Sequence, residues 1–69
     1  MSEYKLEVLE SPGERLRYRR IIQAADDDEA IRRADEFFDG IAADPHVALD
    51  RYVLYQGERI VRERIGTKR

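Results

Sequence analysis

Four consecutive acidic residues, Asp26 to Glu29, form the densest group of potential metal ligands in this sequence. A calcium loop places its oxygen ligands at alternate positions over about twelve residues around a central glycine, and that spacing is missing here. Contiguous acids ahead of an apolar, periodic segment are typical of a helix start, where a carboxylate accepts hydrogen bonds from free backbone N–H groups. We therefore interpret Asp26 or Asp27 as a helix cap and predict no metal site.

His46 is the only histidine of the chain. A catalytic histidine needs a nucleophile or an orienting carboxylate. The hydroxyls of Ser2, Ser11 and Thr67 fall near the termini or in a turn, and Asp44 and Asp50 lie in a loose connection. The four glycines form no phosphate-binding loop. The sequence therefore predicts an exposed loop histidine in a chain that is not an enzyme and uses no cofactor.

A third group of candidates combines arginines at alternate strand positions with nearby tyrosines. Its members are Arg17, Arg19, Arg62, Arg64, Tyr52 and Tyr55. Basic side chains among aromatic ones on an open sheet are typical of a binder of RNA or single-stranded DNA. Nucleic-acid-binding domains are usually net basic, whereas this chain has a net charge of −2. A solvated sheet face or a contact between two copies of the chain is the favoured interpretation, and nucleic-acid binding is the alternative.

The charges are also segregated along the chain. Residues 51–69 hold six basic and two acidic residues, a net charge of +4, whereas residues 26–50 hold nine acidic and two basic residues, a net charge of −7. One hypothesis is therefore a homodimer in which the basic segment of one copy contacts the acidic segment of another.

Length and composition favour the same hypothesis. A chain of 69 residues is expected to form a single domain, 1–69, with a small core. It has no cysteine and one histidine, which exclude disulfides and structural zinc, so that oligomerisation is the remaining common means of stabilisation. No apolar run suggests a membrane span or a signal peptide, and we expect a cytoplasmic protein with no membrane contact.

Periodicity places these residues on five elements. Apolar residues alternate with polar ones in residues 4–10, and strands are also predicted over 15–24, 49–56 and 59–65. In the second strand Arg20 interrupts the apolar alternation; a bulge near Arg19–Arg20 would turn Ile21 inward, and the pattern does not decide between a regular and a bulged strand. Ser11–Glu14 and Gly57–Glu58 contain the glycines expected of hairpin turns, and residues 66–69 are expected to fray.

Apolar residues recur at three- and four-residue steps from Ala30 to Ile41, which predicts an amphipathic helix over about residues 27–42. If Asp26 is the cap, Glu29 completes a capping box, and Gly40 is a possible end of the helix. The order ββαββ predicts an α+β fold in which two antiparallel hairpins form one four-stranded sheet with the helix on one face. The other face is then solvated, or it contacts a second copy or another partner.

Several short segments resemble a family of short uncharacterised bacterial proteins, common in alphaproteobacteria, with a ββαββ fold. The matching positions are Tyr4, Gly13, Ala25–Ala30, Ala34, Gly40 and Tyr55–Val61. The chain departs from the family pattern where Tyr55–Gln56 replaces a Trp–Asp pair and where residues 41–51 form a longer connection. The resemblance implies the same fold and transfers no active site. Together with the residues above, it leads us to expect a small interaction domain, homodimeric, with an unknown protein partner.

Overall fold

A computed structural model of the chain describes residues 1–10, 15–44, 46 and 49–66. In chain order the elements are β1 (Ser2–Glu10), β2 (Arg15–Ala24), α1 (Asp27–Ala42), β3 (Leu49–Gln56) and β4 (Arg59–Ile65). The α+β fold with ββαββ order is confirmed. The predicted turn at 11–14 and the last three residues of the predicted frayed tail lie outside the described residues.

All four strands pair antiparallel in one sheet of order β2-β1-β3-β4. β1 and β3 are the central strands, and β2 and β4 are the two edges. In the part of the chain that the structure describes, no helix is long and apolar enough to cross a membrane.

The core lies between α1 and one face of the sheet. Tyr4, Leu6 and Val8 alternate along β1 and are buried, as the period of two requires. The helix contributes the small residues Ala30 and Ala34, and its next buried residue is Phe38. Small residues at the contact allow the helix backbone to approach the sheet closely, so a short chain still forms a continuous core.

The start of α1 explains why the four acids are contiguous. Asp26 is the N-cap, and its Oδ1 accepts a hydrogen bond from the Glu29 backbone N–H at 2.9 Å. Glu29 Oε1 accepts in return from the N–H of Ala25, one residue before the cap, at 2.7 Å. The helix does not end at Gly40 but continues to Ala42, and it lacks a basic residue in its last turn.

The irregularity of β2 lies earlier than the position considered from the sequence. The β1–β2 register shifts where Val8 opposes Tyr18 and Leu9 opposes Leu16, which leaves Arg17 as the extra residue. Beyond it the strand is regular, so Ile21 stays on the face away from the helix. Arg20 consequently falls on the helix side, where its guanidinium lies 4.7 Å from the centre of the Phe37 ring.

Candidate interaction surfaces

Cross-strand pairing defines the sheet face opposite α1 as three rows, each running across all four strands. In the order β2, β1, β3, β4 the rows are Ile21–Lys5–Tyr55–Ile60, Arg19–Glu7–Val53–Glu63 and Leu16–Leu9–Arg51–Ile65. Directly paired residues share a face, and the β1 members alternate with the buried core residues. We call these twelve residues the helix-free face.

The four corners of the helix-free face are apolar and exposed. Leu16 and Ile21 on β2 expose 47% and 54% of their surface, and Ile60 and Ile65 on β4 expose 59% and 64%. Apart from Met1, they are the exposed large hydrophobic residues of the described chain. Exposed large apolar residues that all lie on one face favour the use of that face as a protein-interaction surface.

The middle of the helix-free face is charged but internally paired. Glu7 lies between Arg19 at 3.3 Å and Lys5 at 4.0 Å. Tyr55 lies beside the same carboxylate, and burial first, then Glu7, raises the pKa of its phenol. Val53 is only 8% exposed at the centre because these longer side chains surround it. A partner that covers this face would therefore not leave these charges buried without a counter-ion.

On the helix side, the acids of α1 bind the arginines of β4 in the same chain. Asp27 accepts a hydrogen bond from the Tyr4 hydroxyl at 2.8 Å and two from the Arg59 guanidinium at 3.2 Å. Arg59 and then Tyr4 lower the pKa of the Asp27 carboxyl, because both bonds favour its charged form. This contact fixes the start of the helix over the β3–β4 hairpin.

A second contact lies two turns further along the helix. Asp35 Oδ1 accepts from the hydroxyl of the fully buried Tyr52 and from Arg64 at 3.1 Å. Arg64 also binds Asp39 at 3.0 Å, and its guanidinium lies 5.3 Å from the centre of the Phe38 ring. Burial and the bond to Asp35 raise the pKa of Tyr52 to about 12.

These contacts change the interpretation of the segregated charges. The acidic and basic segments meet within one copy, where Arg59 and Arg64 bind aspartates of the helix. Opposite net charges in the two segments are therefore used to dock α1 on β4. They no longer argue for a contact between copies that is built from those same segments.

The six residues predicted as a surface do not lie on one face. Arg19 and Tyr55 belong to the helix-free face, whereas Tyr52 and Arg64 lie on the helix side. Arg62 opposes the core residue Leu54 and so also points to the helix side. The bulge residue Arg17 pairs with Glu10 at 3.4 Å. No continuous basic and aromatic strip results, and no contact described above favours nucleic-acid binding.

Sequence reasoning missed the apolar corners as a group. Leu16 and Ile21 are five positions apart on β2, and so are Ile60 and Ile65 on β4, so a regular strand would place each pair on opposite faces. They share one face because the pairing leaves an extra residue between them, Arg17 on β2 and Val61 on β4. The sequence pattern contains neither bulge nor the strand order.

His46 makes a local contact in the described part of the chain. The backbone N–H of the exposed His46 donates to Asp44 Oδ1 at 2.9 Å. Among the residues that the structure describes, no three metal-binding side chains cluster closely enough to hold an ion.

A groove of about 630 Å³ lies between α1 and the edge strand β2. Four consecutive β2 residues, Arg20 to Gln23, line it together with Leu6, Arg33 and Phe37. We call it the α1–β2 groove.

Comparison of the chain with protein-family models, with curated proteins and with solved structures found no match. The resemblance to short bacterial ββαββ proteins stays a prediction that these comparisons do not test.

Proposed function

We propose that this chain is a non-enzymatic interaction domain that forms a homodimer through its helix-free face. The observation that supports the proposal most directly is the position of the four exposed hydrophobic residues, one at each corner of that face. Fully burying an exposed Leu or Ile contributes about 1.5–3 kcal/mol. Each corner is already about half buried and would contribute roughly half of that, and a two-fold dimer would bury all eight corners at once.

The pattern of the face also selects an arrangement of the two copies. A two-fold axis parallel to the strands places β2 of one copy over β4 of the other. Ile21 then faces Ile60 of the second copy, and Leu16 faces Ile65. Sheets that pack face to face in this aligned way differ in strand direction by about 30°, so these pairs are neighbours rather than exact overlays.

The middle row distinguishes this arrangement from its alternative. With the axis parallel to the strands, Arg19 of each copy faces Glu63 of the other, so opposite charges meet at two symmetric places. With the axis perpendicular to the strands, each Arg19 faces Arg19 and each Glu63 faces Glu63. Like charges in contact are unfavourable, and we therefore propose the first arrangement.

The mass in solution tests the proposal. Light scattering over a concentration series should give twice the chain mass of 8.1 kDa for the unmodified protein. Ile60→Lys should shift the equilibrium to the monomer, because it places a charge at an apolar corner. Ala42→Lys is the matched control, since it adds the same charge at an exposed position on the helix side. A monomer at millimolar concentration, or equal effects of the two variants, would overturn the proposal.

Mixing two variants tests the arrangement. Arg19→Glu and Glu63→Arg should each dimerise weakly, because each homodimer then holds like charges at both places. An equimolar mixture restores opposite charges at both places and should form heterodimers more tightly than either variant alone. Each chain keeps its own internal defects in the mixture, so a gain can only come from contact between copies. A mixture no tighter than its components would reject this arrangement.

A further inference from the structure

The outer edge of β2 is open for pairing. β2 bonds to β1 on one side, and no strand of the described chain pairs with its other side. It is a strand of ten residues, which leaves several backbone N–H and C=O groups facing outward along its length. Such an edge can accept an extended segment as a fifth strand.

The α1–β2 groove extends to this same edge. Its β2 lining consists of four consecutive residues, Arg20 to Gln23, although successive side chains of a strand point to opposite faces. The strand backbone itself must therefore form one wall, while Phe37 and Leu6 provide apolar surface from the helix and the sheet. A strand added to β2 would place alternate side chains against this wall and its apolar surface.

The charges around the groove determine what kind of segment fits. β2 contains four arginines and no acidic residue. Two of them are used within the chain, since Arg17 pairs with Glu10 and Arg19 with Glu7. Arg20 forms no ion pair with any described residue and stacks on Phe37 at the groove.

The two other charged residues of the groove already have partners. Arg33 pairs with Glu29 at 3.0 Å, and Glu36 pairs with Arg32 at 3.6 Å. Arg20 therefore remains as the cation available to a carboxylate from outside the chain.

We propose that the edge of β2 and the α1–β2 groove bind an extended peptide segment of a partner protein. An apolar side chain of the segment enters the groove beside Ile22 and Phe37. Arg20 and Ile22 are two positions apart on the same side of β2, so a carboxylate two residues from the apolar side chain reaches Arg20. The proposal shares only Ile21 with the helix-free face, and its main contacts, Arg20, Ile22 and Phe37, lie on the helix side, so it does not depend on dimer formation.

A phage-displayed library of unbiased nine-residue linear peptides, selected on the full chain, is the first test. We expect enriched sequences with an Asp or Glu two positions from a large apolar residue. The best peptide, measured by fluorescence anisotropy, should bind Arg20→Gln at least about tenfold more weakly, since the variant loses a charge-assisted hydrogen bond to the peptide carboxylate. Arg62→Gln is the matched control, because it removes an exposed arginine from the opposite edge strand.

Backbone methylation separates strand addition from simple groove binding. In a paired strand, alternate N–H groups point toward the neighbouring strand. Two versions of the best peptide are compared, one N-methylated at its odd-numbered residues and one at its even-numbered residues. One version should lose binding, and the other should bind nearly as well as the unmethylated peptide. Any one of three results would overturn the inference: the two methylated peptides bind equally, the selection enriches no acidic and apolar pattern, or the best peptide binds Arg20→Gln as tightly as the unmodified chain.

The two proposals can fail separately. Ile60→Lys lies on the far edge of the helix-free face and should leave peptide binding unchanged even if it dissociates the dimer. A monomeric chain that binds the peptide would reject the homodimer alone. A dimer that selects no peptide would reject the β2 site alone.

Discussion

Replacing Asp35 by alanine should be one of the most destabilising single changes on the surface of α1. Asp35 is about one-third exposed, yet its carboxylate accepts from the hydroxyl of a tyrosine that is fully buried. Removing the carboxylate leaves the Tyr52 hydroxyl without this acceptor and Arg64 with Asp39 alone. The substitution therefore removes a hydrogen-bond partner from both Tyr52 and Arg64.

The magnitude follows from which group is left without a partner. A buried donor that loses its acceptor costs about 1–3 kcal/mol, whereas the ion pair with Arg64, with both side chains about one-third exposed, contributes only about 0–1 kcal/mol. We expect Asp35→Ala to lower the free energy of unfolding by about 2 kcal/mol. Tyr52→Phe removes the donor itself and should cost about 1 kcal/mol. In a chain that already carries Tyr52→Phe, the change Asp35→Ala should cost only the ion-pair contribution.

Urea unfolding followed by far-ultraviolet circular dichroism measures these differences. A domain of this size has a slope of about 1 kcal/mol per molar urea, so 2 kcal/mol moves the midpoint by about 2 M. The two single variants and the double variant form a thermodynamic cycle, with an expected coupling energy of about 1–2 kcal/mol. Costs that add to within about 0.3 kcal/mol would refute the argument, because Asp35 and Tyr52 would then act independently.

One pH dependence and three further substitutions test the Tyr52 contact and other parts of the fold. The pKa of Tyr52 is raised to about 12 in the folded chain, so the unfolded chain loses this proton at a lower pH. The free energy of unfolding should therefore fall between about pH 10 and pH 12. A Tyr52→Phe variant with the same pH slope in urea unfolding would contradict this. Gly40→Ala, with open space around its Cβ, should raise the melting temperature, because it adds up to about 1 kcal/mol of stability. Gly66→Ala should lower the melting temperature, because its Cβ would lie 2.8 Å from the Leu49 carbonyl oxygen. If Gly40→Ala has the lower melting temperature of the two variants, both expectations are wrong. Ala42→Lys should stabilise α1 by about 0.3–1 kcal/mol at low salt, since the last turn lacks a cation, and a gain that persists in 1 M salt would exclude this electrostatic cause.

The parts of the fold that depend on local chemistry could be predicted from the sequence. The helix starts after Asp26 and ends at Ala42, as its cap and its apolar period indicate. Three of the four strands have the predicted bounds, and the first begins two residues earlier, at Ser2. Each of these features is determined by residues that are close together in the chain.

Features that depend on distant residues could not be predicted in the same way. The bulge at Arg17 reverses the face of Leu16 relative to Tyr18, and nothing in the local alternation marks that position. The pairing of Arg64 with Asp35 depends on α1 lying over β4, which a pattern of charges along the chain does not reveal. The sequence therefore predicted a sheet face without a helix, but not the four apolar residues at its corners.

The strand order has a consequence for how the chain reaches this fold. Each hairpin pairs strands that are adjacent in sequence, but the β1–β3 pairing joins them across the whole of β2 and α1. Closing this long-range pair is therefore expected to limit the folding rate. Until it closes, β1 presents an open edge that the β3–β4 hairpin of any copy fits equally well. Refolding at high concentration should accordingly favour dimers that have exchanged their C-terminal hairpins, and dilution before refolding should suppress them.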